Sequence, residues 1–524
     1  MCVVCVSAVT VASLLAPTEI PSVQNNVSGY TITKSACPKS KLNKVQNNKI
    51  CLKDGTVYRW AIKNTQVSTI PTPKPTSTPT PTPTITSTPQ PKIEIASTSK
   101  KYFNSPCDLD PGTPLEWKDF ERKHINGGGC LSALRVPTTQ TLTELPKTQT
   151  DKSNLNLSQC KIEQSRNKGN VLGFKTWDSY WQTSLKHPSP NTVYQVIPLY
   201  SDDIPNSNTN PNDDFKKYFD FIIDWTKQAS DNGSNVEFRV PNNYIYMPGN
   251  ISSYNLIHER SESSAQRFTN DLVRAVDSKI NFSGSNIALI LFPPSTNKIV
   301  GDQVGLPRFL TNEGYIVGSI MPSGGNIAPE RNFSFPTWWM HELMHVGIGF
   351  DDNNHSQKDS PAWWGLINWA STFDLLVWHK WIAGFISDSQ VICLDKNKSS
   401  TVYIAPSTVK STRDKLIVIP LSDSRAIVVE SQRAEGINYK LPQISEGALV
   451  YMVDMSLTNH ADGIRLILPK NKNMITTGNM DNKSPGHNSN ASLKIGEIAE
   501  YNGIRIQVVE SGIFGDVIKI EPTR

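Results

Sequence analysis

Residues 68–92 read STIPTPKPTSTPTPTPTITSTPQPK, and no packed domain can run through them. Eight of the chain's 36 prolines fall in this stretch. Each proline removes a backbone N–H and fixes φ, so helix and ladder hydrogen bonds fail together. Alternation with threonine favours extended polyproline II, which makes the segment a semi-rigid spacer. The chain is therefore expected to fold as separate units on either side of it. Its 524 residues suffice for two or three domains with their own cores.

Before the spacer, residues 1–29 are expected to be a leader. Residues 1–16, MCVVCVSAVTVASLLA, resemble the apolar core of a secretion signal, although the first lysine is Lys34. A clipped or atypical signal fits better than a buried strand. Residues 30–67 alternate polar and apolar positions around Cys37 and Cys51 and read as a small cysteine-paired β module. After the spacer, residues 93–155 are rich in Thr and Pro and carry Gly127, Gly128 and Gly129. They read as a loop-rich preamble, with a propeptide role open for residues 17–155.

From residue 156 the texture changes. Strand-like VYQVIPLY (193–200), VEFRVPNNYIYMP (236–248), NIALILFPP (286–294) and YIVGSIMP (315–322) alternate with helical spacing at 213–230 and 263–280. A further helix is expected at the motif that follows. The order β-α-β-α-β-β-α predicts one sheet with helices packed on it over residues 156–392. Residues 393–524 carry short strands separated by turn residues and predict an all-β domain. The fold class is thus α+β, close to α/β in its first half.

Charge and cysteines narrow the function classes. A net charge of +5 with no Lys/Arg-rich run gives no reason to expect nucleic acid. No stretch approaches the roughly 20 apolar residues of a membrane span. Setting aside Cys2 and Cys5, six cysteines remain, widely spaced and without a CxxC pair. That usage suits disulfides in an oxidising compartment. Proximity and domain logic favour Cys37–Cys51, Cys107–Cys130 and Cys160–Cys393, the plain alternative being six reduced thiols. A secreted or cell-envelope protein, monomeric, is expected.

The chemistry is concentrated in PTWWMHELMHVGIGFDDNNH, residues 336–355. His341 and His345 are four apart, so on a helix they project from one face and can hold one Zn²⁺. Glu342 beside them suits a general base acting on water. Pro336 suits a helix start. The plain alternative is a buried helix with two satisfied histidines. A hydrolytic zinc site wants three protein ligands and an open position. Asp351, Asp352 and His355 are the nearby donors. Residues 356–392 contain no Glu, which argues against a third ligand from a downstream helical Glu.

HELMHVGIGFDD resembles the zinc motif of the immune-inhibitor-A-type metallopeptidases, HExxHxLGLPD, within the metzincin-like pattern HExxHxxGxxH or HExxHxxGxxD. FDLLVWHKWIAGFISDSQVICL (373–394), AIVVESQR (426–433) and GALVYMVD (447–454) resemble later segments of that family. The resemblance implies a metzincin-type catalytic domain with Zn²⁺ held by His341, His345 and Asp351. It also implies Glu342 as general base and a protein or peptide as substrate. Two positions depart from the pattern. Ile348 stands where the family has Gly, with Gly347 and Gly349 on either side. The family's Met beneath the metal has Leu366 or Ile367 in its place. By the same resemblance, the strand 315–322 would line the cleft and pair with an extended substrate.

Other readings stay open. His379 could donate a hydrogen bond to a transition state, but reads better as a helix-surface residue among Trp378 and Trp381. Trp338, Trp339, Trp363, Trp364 and Trp369 read as core and cleft wall, and more weakly as a platform for polysaccharide or peptidoglycan. The loop DDIPNSNTNPNDD (202–214) could supply oxygens to Ca²⁺, though a solvated loop suffices. The runner-up function is a non-catalytic envelope binding or adhesion protein on a peptidase-derived scaffold. Glu342 separates the two, since a purely structural zinc site has no use for it.

Overall fold

The computed structural model describes residues 142–163, 173–174, 191–256, 262–296, 304–321, 323, 336–350, 358–361, 364–368, 374–457, 463–475 and 488–523, with the backbone of five strands between 26 and 63. The chain divides into two compact units, Met1–Ala96 and Ser97–Arg524. In the first, strands β1 (Asn26–Val27), β2 (Tyr30–Ala36), β3 (Val45–Gln46), β4 (Lys49–Asp54) and β5 (Val57–Lys63) form an antiparallel sheet in the order β1-β2-β5-β4-β3. Cys51 lies opposite Trp60 in that ladder. Cys37, Cys107 and Cys130, and so the two pairings expected of them, lie outside the described residues.

In the second unit, a 3-10 turn at Leu157–Gln159 precedes β6 (Asn191–Tyr200), helix α1 (Pro211–Ala229), β7 (Asn235–Arg239), β8 (Ile245–Tyr246) and helix α2 (Glu262–Val276). It continues with β9 (Ile287–Leu291), β10 (Val304–Thr311), β11 (Gly314–Ile320) and helix α3 (Pro336–Gly347). The sheet order is β10-β11-β9-β6-β7, with β8 also pairing β6. All neighbours are parallel except the β10–β11 hairpin. Alternate side chains of β9 feed two cores. Ile287, Leu289 and Leu291 pack with α1 and α3, whereas Ala288 and Ile290 pack with α2. Burial on both faces is why this strand reads as an unbroken apolar run.

Local sequence starts and orients α1. Asn210 accepts a hydrogen bond from the Asn212 N–H at 2.9 Å, Pro211 occupies the first turn, and Asp213 and Asp214 face the helix dipole's positive end. Phe215, Tyr218, Phe219, Ile222 and Trp225 then bury one face. Trp339 of α3 stacks against that face, 4.5 Å from the Tyr218 ring and 5.7 Å from Phe215.

Strand β10 is absent from the expected order. Its sequence VGLPRFLT contains Pro307, which demotes it as a strand, and the ladder is irregular between Leu306 and Phe309. Its presence overturns one expectation. Strand β11 is paired on one side by β10 and on the other by β9. A substrate therefore cannot add to 315–322. The end strands of this sheet's order are β10 and β7.

Among the described residues, the remaining chain contributes helix α4 (Val377–Ile382) and nine strands. These are β12 (Val391–Cys393), β13 (Ser400–Ile404), β14 (Leu416–Ser422), β15 (Arg425–Gln432), β16 (Gly447–Asp454), β17 (Ile464–Leu466), β18 (Ile498–Tyr501), β19 (Ile504–Gly512) and β20 (Gly515–Pro522). They build two sheets, β12-β14-β15-β16-β17 and β13-β20-β19-β18. Ile417, Ile427 and Val450 of the first meet Ile404, Ile506 and Ile518 of the second in one core, a β-sandwich. The opposite face of the first sheet is also covered. Leu416, Val428, Leu449 and Tyr451 join Trp378, Trp381 and the α1 and α3 side chains in the largest core. Spans 156–392 and 393–524 thus share a hydrophobic interior. The architecture is α+β, and among the described residues no helix is long and apolar enough to cross a membrane.

The seam beneath α4 is polar at a few buried points. Lys380 pairs with Asp374 at 2.5 Å and donates to the Ser407 carbonyl at 3.0 Å, and Lys415 pairs with Asp231 at 2.5 Å. Each pair is almost fully buried, so losing one partner would strand a charge at a cost of about 3–5 kcal/mol. Glu430 accepts from the Val377 N–H and the Tyr451 hydroxyl, both at 2.7 Å, and from the Gln432 amide. Burial pushes its carboxyl up to about 7 against those three donors. A carboxyl raised in this way holds a proton that the unfolded chain has already lost. Its contribution to stability is complete below about pH 4.5 and is lost as pH rises through about 7. Denaturant midpoints of wild type and Glu430→Gln between pH 5 and pH 8 should diverge by about 3 kcal/mol, the wild type losing ground. Parallel curves would show that Glu430 titrates normally.

Cys160 and Cys393 form a disulfide across 233 residues, the pairing expected from sequence. It ties the segment that precedes β6 to β12. Replacing both by Ser should lower unfolding stability by about 2–4 kcal/mol in guanidinium melts. An unchanged midpoint would mean that the bond adds nothing to the folded state.

Candidate metal centre

Helix α3 is buried on nearly every side, as expected of a helix with apolar residues all round. At its end Gly347 lies against the sheet. A Cβ there would stand 3.4 Å from Ile287 Cδ1 and 3.6 Å from the Tyr194 hydroxyl. The helix then closes through Gly349, whose φ of +85° is left-handed, and Ile348, Gly349 and Phe350 all direct N–H groups at the Met344 carbonyl. The turning glycine is therefore the fourth residue after His345, one later than in the family pattern.

This turn brings the Phe350 carbonyl to His345 Nδ1 at 2.6 Å. Across the site, the Leu366 carbonyl lies 2.7 Å from His341 Nδ1. A carbonyl can only accept, so both imidazoles carry their proton on Nδ1. In the neutral rings each Nε2 is left with a lone pair, and the two Nε2 atoms face each other at 3.0 Å. Two lone pairs this close repel unless a positive charge sits with them. A shared proton would leave an imidazolium in a largely buried site, whereas a cation answers both at once. Nitrogens at this spacing can both reach one Zn²⁺ at its ordinary distance of about 2.0–2.1 Å.

Glu342 is buried beside them, and one ligand atom from each of His341, Glu342 and His345 falls within 4.8 Å of the others. Among the described residues this is the one group of three or more His, Cys, Asp or Glu so arranged. Trp338 lies flat on the His341 ring, centroids 5.2 Å apart and planes within 16°. Asp351, Asp352 and His355 lie outside the described residues. Leu366 and Ile367, which stand in place of the family's Met, are fully buried, and Leu366 reaches the site through its carbonyl.

Several other expectations find their place here. His379 is buried rather than on a helix surface, because α4 is covered by the sandwich on one side and the helical layer on the other. Its ring lies 4.5 Å from Phe350, and burial pushes it down to about 3, so it is neutral near pH 7. Trp338, Trp339 and Trp364 are buried and offer no platform for a sugar chain, while Trp363 and Trp369 lie outside the described residues. In the loop considered for Ca²⁺, Asp203 caps the N–H groups of Ile251 and Ser252, Asp202 accepts from Tyr246 and Gly249, and Asp214 accepts from Thr209 and Tyr244. Those carboxylates already serve as backbone and hydroxyl acceptors.

The carbonyls of Phe350 and Leu366 escaped sequence reasoning because a backbone group carries no residue-type signal. The Trp338 stack was open to it, since Trp338 precedes His341 by three residues on a helix. Comparison with known proteins adds no name: no protein-family model, no curated protein and no solved structure matches the chain.

The protein should bind about one Zn²⁺ per chain, seen by elemental analysis after dialysis, and His341→Ala or His345→Ala should abolish it. Zinc retained by both variants would move the metal elsewhere in the chain.

Proposed function

We propose that the chain is a zinc-dependent endopeptidase working outside the cytoplasm, of the immune-inhibitor-A-type, metzincin-like kind. The observation that carries this is the pair of Nδ1-anchored histidines whose Nε2 lone pairs converge at 3.0 Å, with Glu342 in the same buried group. Asp351 is the third ligand in this proposal, on the resemblance of HELMHVGIGFDD to the family's zinc motif. When bound, Zn²⁺ supplies Lewis-acid charge and makes water a usable nucleophile at neutral pH. Glu342 takes the proton from the attacking water and returns it to the leaving amine. The Leu366 and Phe350 carbonyls orient His341 and His345 through Nδ1. An extended peptide would pair with β10, the antiparallel end strand, rather than with β11. The Cys160–Cys393 disulfide supports an oxidising compartment.

The test is metal content and casein hydrolysis for wild type beside Glu342→Gln. Equal zinc with activity lowered about 10³-fold or more in the variant is expected of a lost general base. Zinc in both with hydrolysis in neither would favour the non-catalytic envelope-binding reading.

A further inference from the structure

Six buried residues form an unbroken line of hydrogen bonds from the metal centre into the β-sandwich. His341 Nδ1–H donates to the Leu366 carbonyl at 2.7 Å. The Leu366 N–H donates to the Asp374 carbonyl at 2.8 Å. The Asp374 N–H donates to Asn438 Oδ1 at 3.0 Å. Asn438 Nδ2 donates to Gln432 Oε1 at 3.2 Å, and Gln432 Nε2 donates to the Glu430 carboxylate.

The direction of every link is fixed by chemistry. The Asp374 N–H can only donate, so Asn438 must present its oxygen to it and its amide nitrogen to Gln432. Gln432 must then accept from Asn438 and donate onward to the carboxylate. All five bonds therefore point the same way and end on the Glu430 carboxyl. His341, Leu366, Asp374, Asn438, Gln432 and Glu430 are each at most 3% exposed, so water does not break the line. At Leu366 and Asp374 the carbonyl and the N–H belong to successive peptide groups joined through Cα, so the line fixes positions rather than relaying charge. Sequence distance hides the connection, because Glu430 lies on β15 and His341 on α3.

We propose that Asn438, Gln432 and Glu430 of the β-sandwich are positioning residues for His341. They fix its Nδ1–H tautomer and ring angle by holding the Leu366 carbonyl in place. This rests on the proposed metal centre. The span 393–524 is then part of the ligand set's support rather than an appended module. The same residues account for why the turn 364–368 holds its carbonyl at His341: Asp374 grips Leu366 from behind and is itself gripped by Asn438.

The experiment measures Zn²⁺ affinity of the full chain by competition with a chromophoric chelator at pH 8. Four proteins are compared: wild type, Glu430→Gln, Asn438→Leu and Val428→Ala. Glu430→Gln removes the charge and leaves one oxygen where two accept, so either Gln432 or the Val377 N–H loses its acceptor. Asn438→Leu cuts the line. Val428→Ala opens a cavity in the same core but removes no hydrogen-bonding group of the line. Weakening of roughly 10-fold for Asn438→Leu and roughly 3-fold for Glu430→Gln is expected, with Val428→Ala within about 2-fold of wild type. The Co²⁺-substituted protein should show a shifted d–d spectrum in the first two variants alone. Wild type that takes up no zinc would overturn the metal centre and this inference with it. Wild type that binds zinc, with Asn438→Leu and Glu430→Gln indistinguishable from Val428→Ala, would overturn this inference alone.

Discussion

The five-stranded sheet β12-β14-β15-β16-β17 has no face that can meet water. Its odd and even side chains are both apolar, and each set must be covered. One face is closed by β13-β20-β19-β18. The other can be closed only by α4 and the helical layer that carries α1 and α3. Much of the second unit's geometry follows from this. Helix α4, six residues long and too short to be stable alone, is helical because it is wedged there. The histidines of α3 meet a floor whose height is set by the sandwich.

Such a seam would ordinarily be wholly apolar. Here it holds Lys380 with Asp374, Lys415 with Asp231, and Glu430 with its three donors. Buried pairs of this kind bring little net stability, since desolvation offsets most of their attraction. They do penalise every packing in which a partner is missing. A sheet that slid by one residue against α4 would leave a lysine or a carboxylate alone in a dry interior. The polar points thus fix the register of two apolar surfaces that would otherwise slide at small cost.

Much of this was legible in the sequence, for identifiable reasons. Apolar spacing at Phe215, Tyr218, Phe219, Ile222 and Trp225 marked α1, the unbroken run of β9 marked a central strand, and the short apolar runs of β14 and β16 marked strands of an all-β region. The spacing of His341, Glu342 and His345 announced a shared helix face because side-chain type and period agree there. Strand β10 was hidden by Pro307, which sits where the ladder is irregular and so does no damage. His379 looked like a surface residue because a six-residue helix has too little period to declare that both its sides are covered. Asn438 and Gln432 gave no sign at all. Isolated amides are usually surface residues, and only tertiary packing places these two in line with Leu366 and Asp374.

The disulfide between Cys160 and Cys393 has a consequence for how the molecule is made. A chain synthesised from its N-terminus presents Cys160 long before its partner exists. The intervening 232 residues include the whole helical layer and the helix that carries His341 and His345. During that interval Cys160 is a free thiol in a growing chain, open to any oxidant or mispaired cysteine it meets. The correct bond can close only once β12 has emerged, when the first layer is already complete in length. The clasp is a mark of completion: a product that stops short of residue 393 cannot carry it, however well its helices have formed.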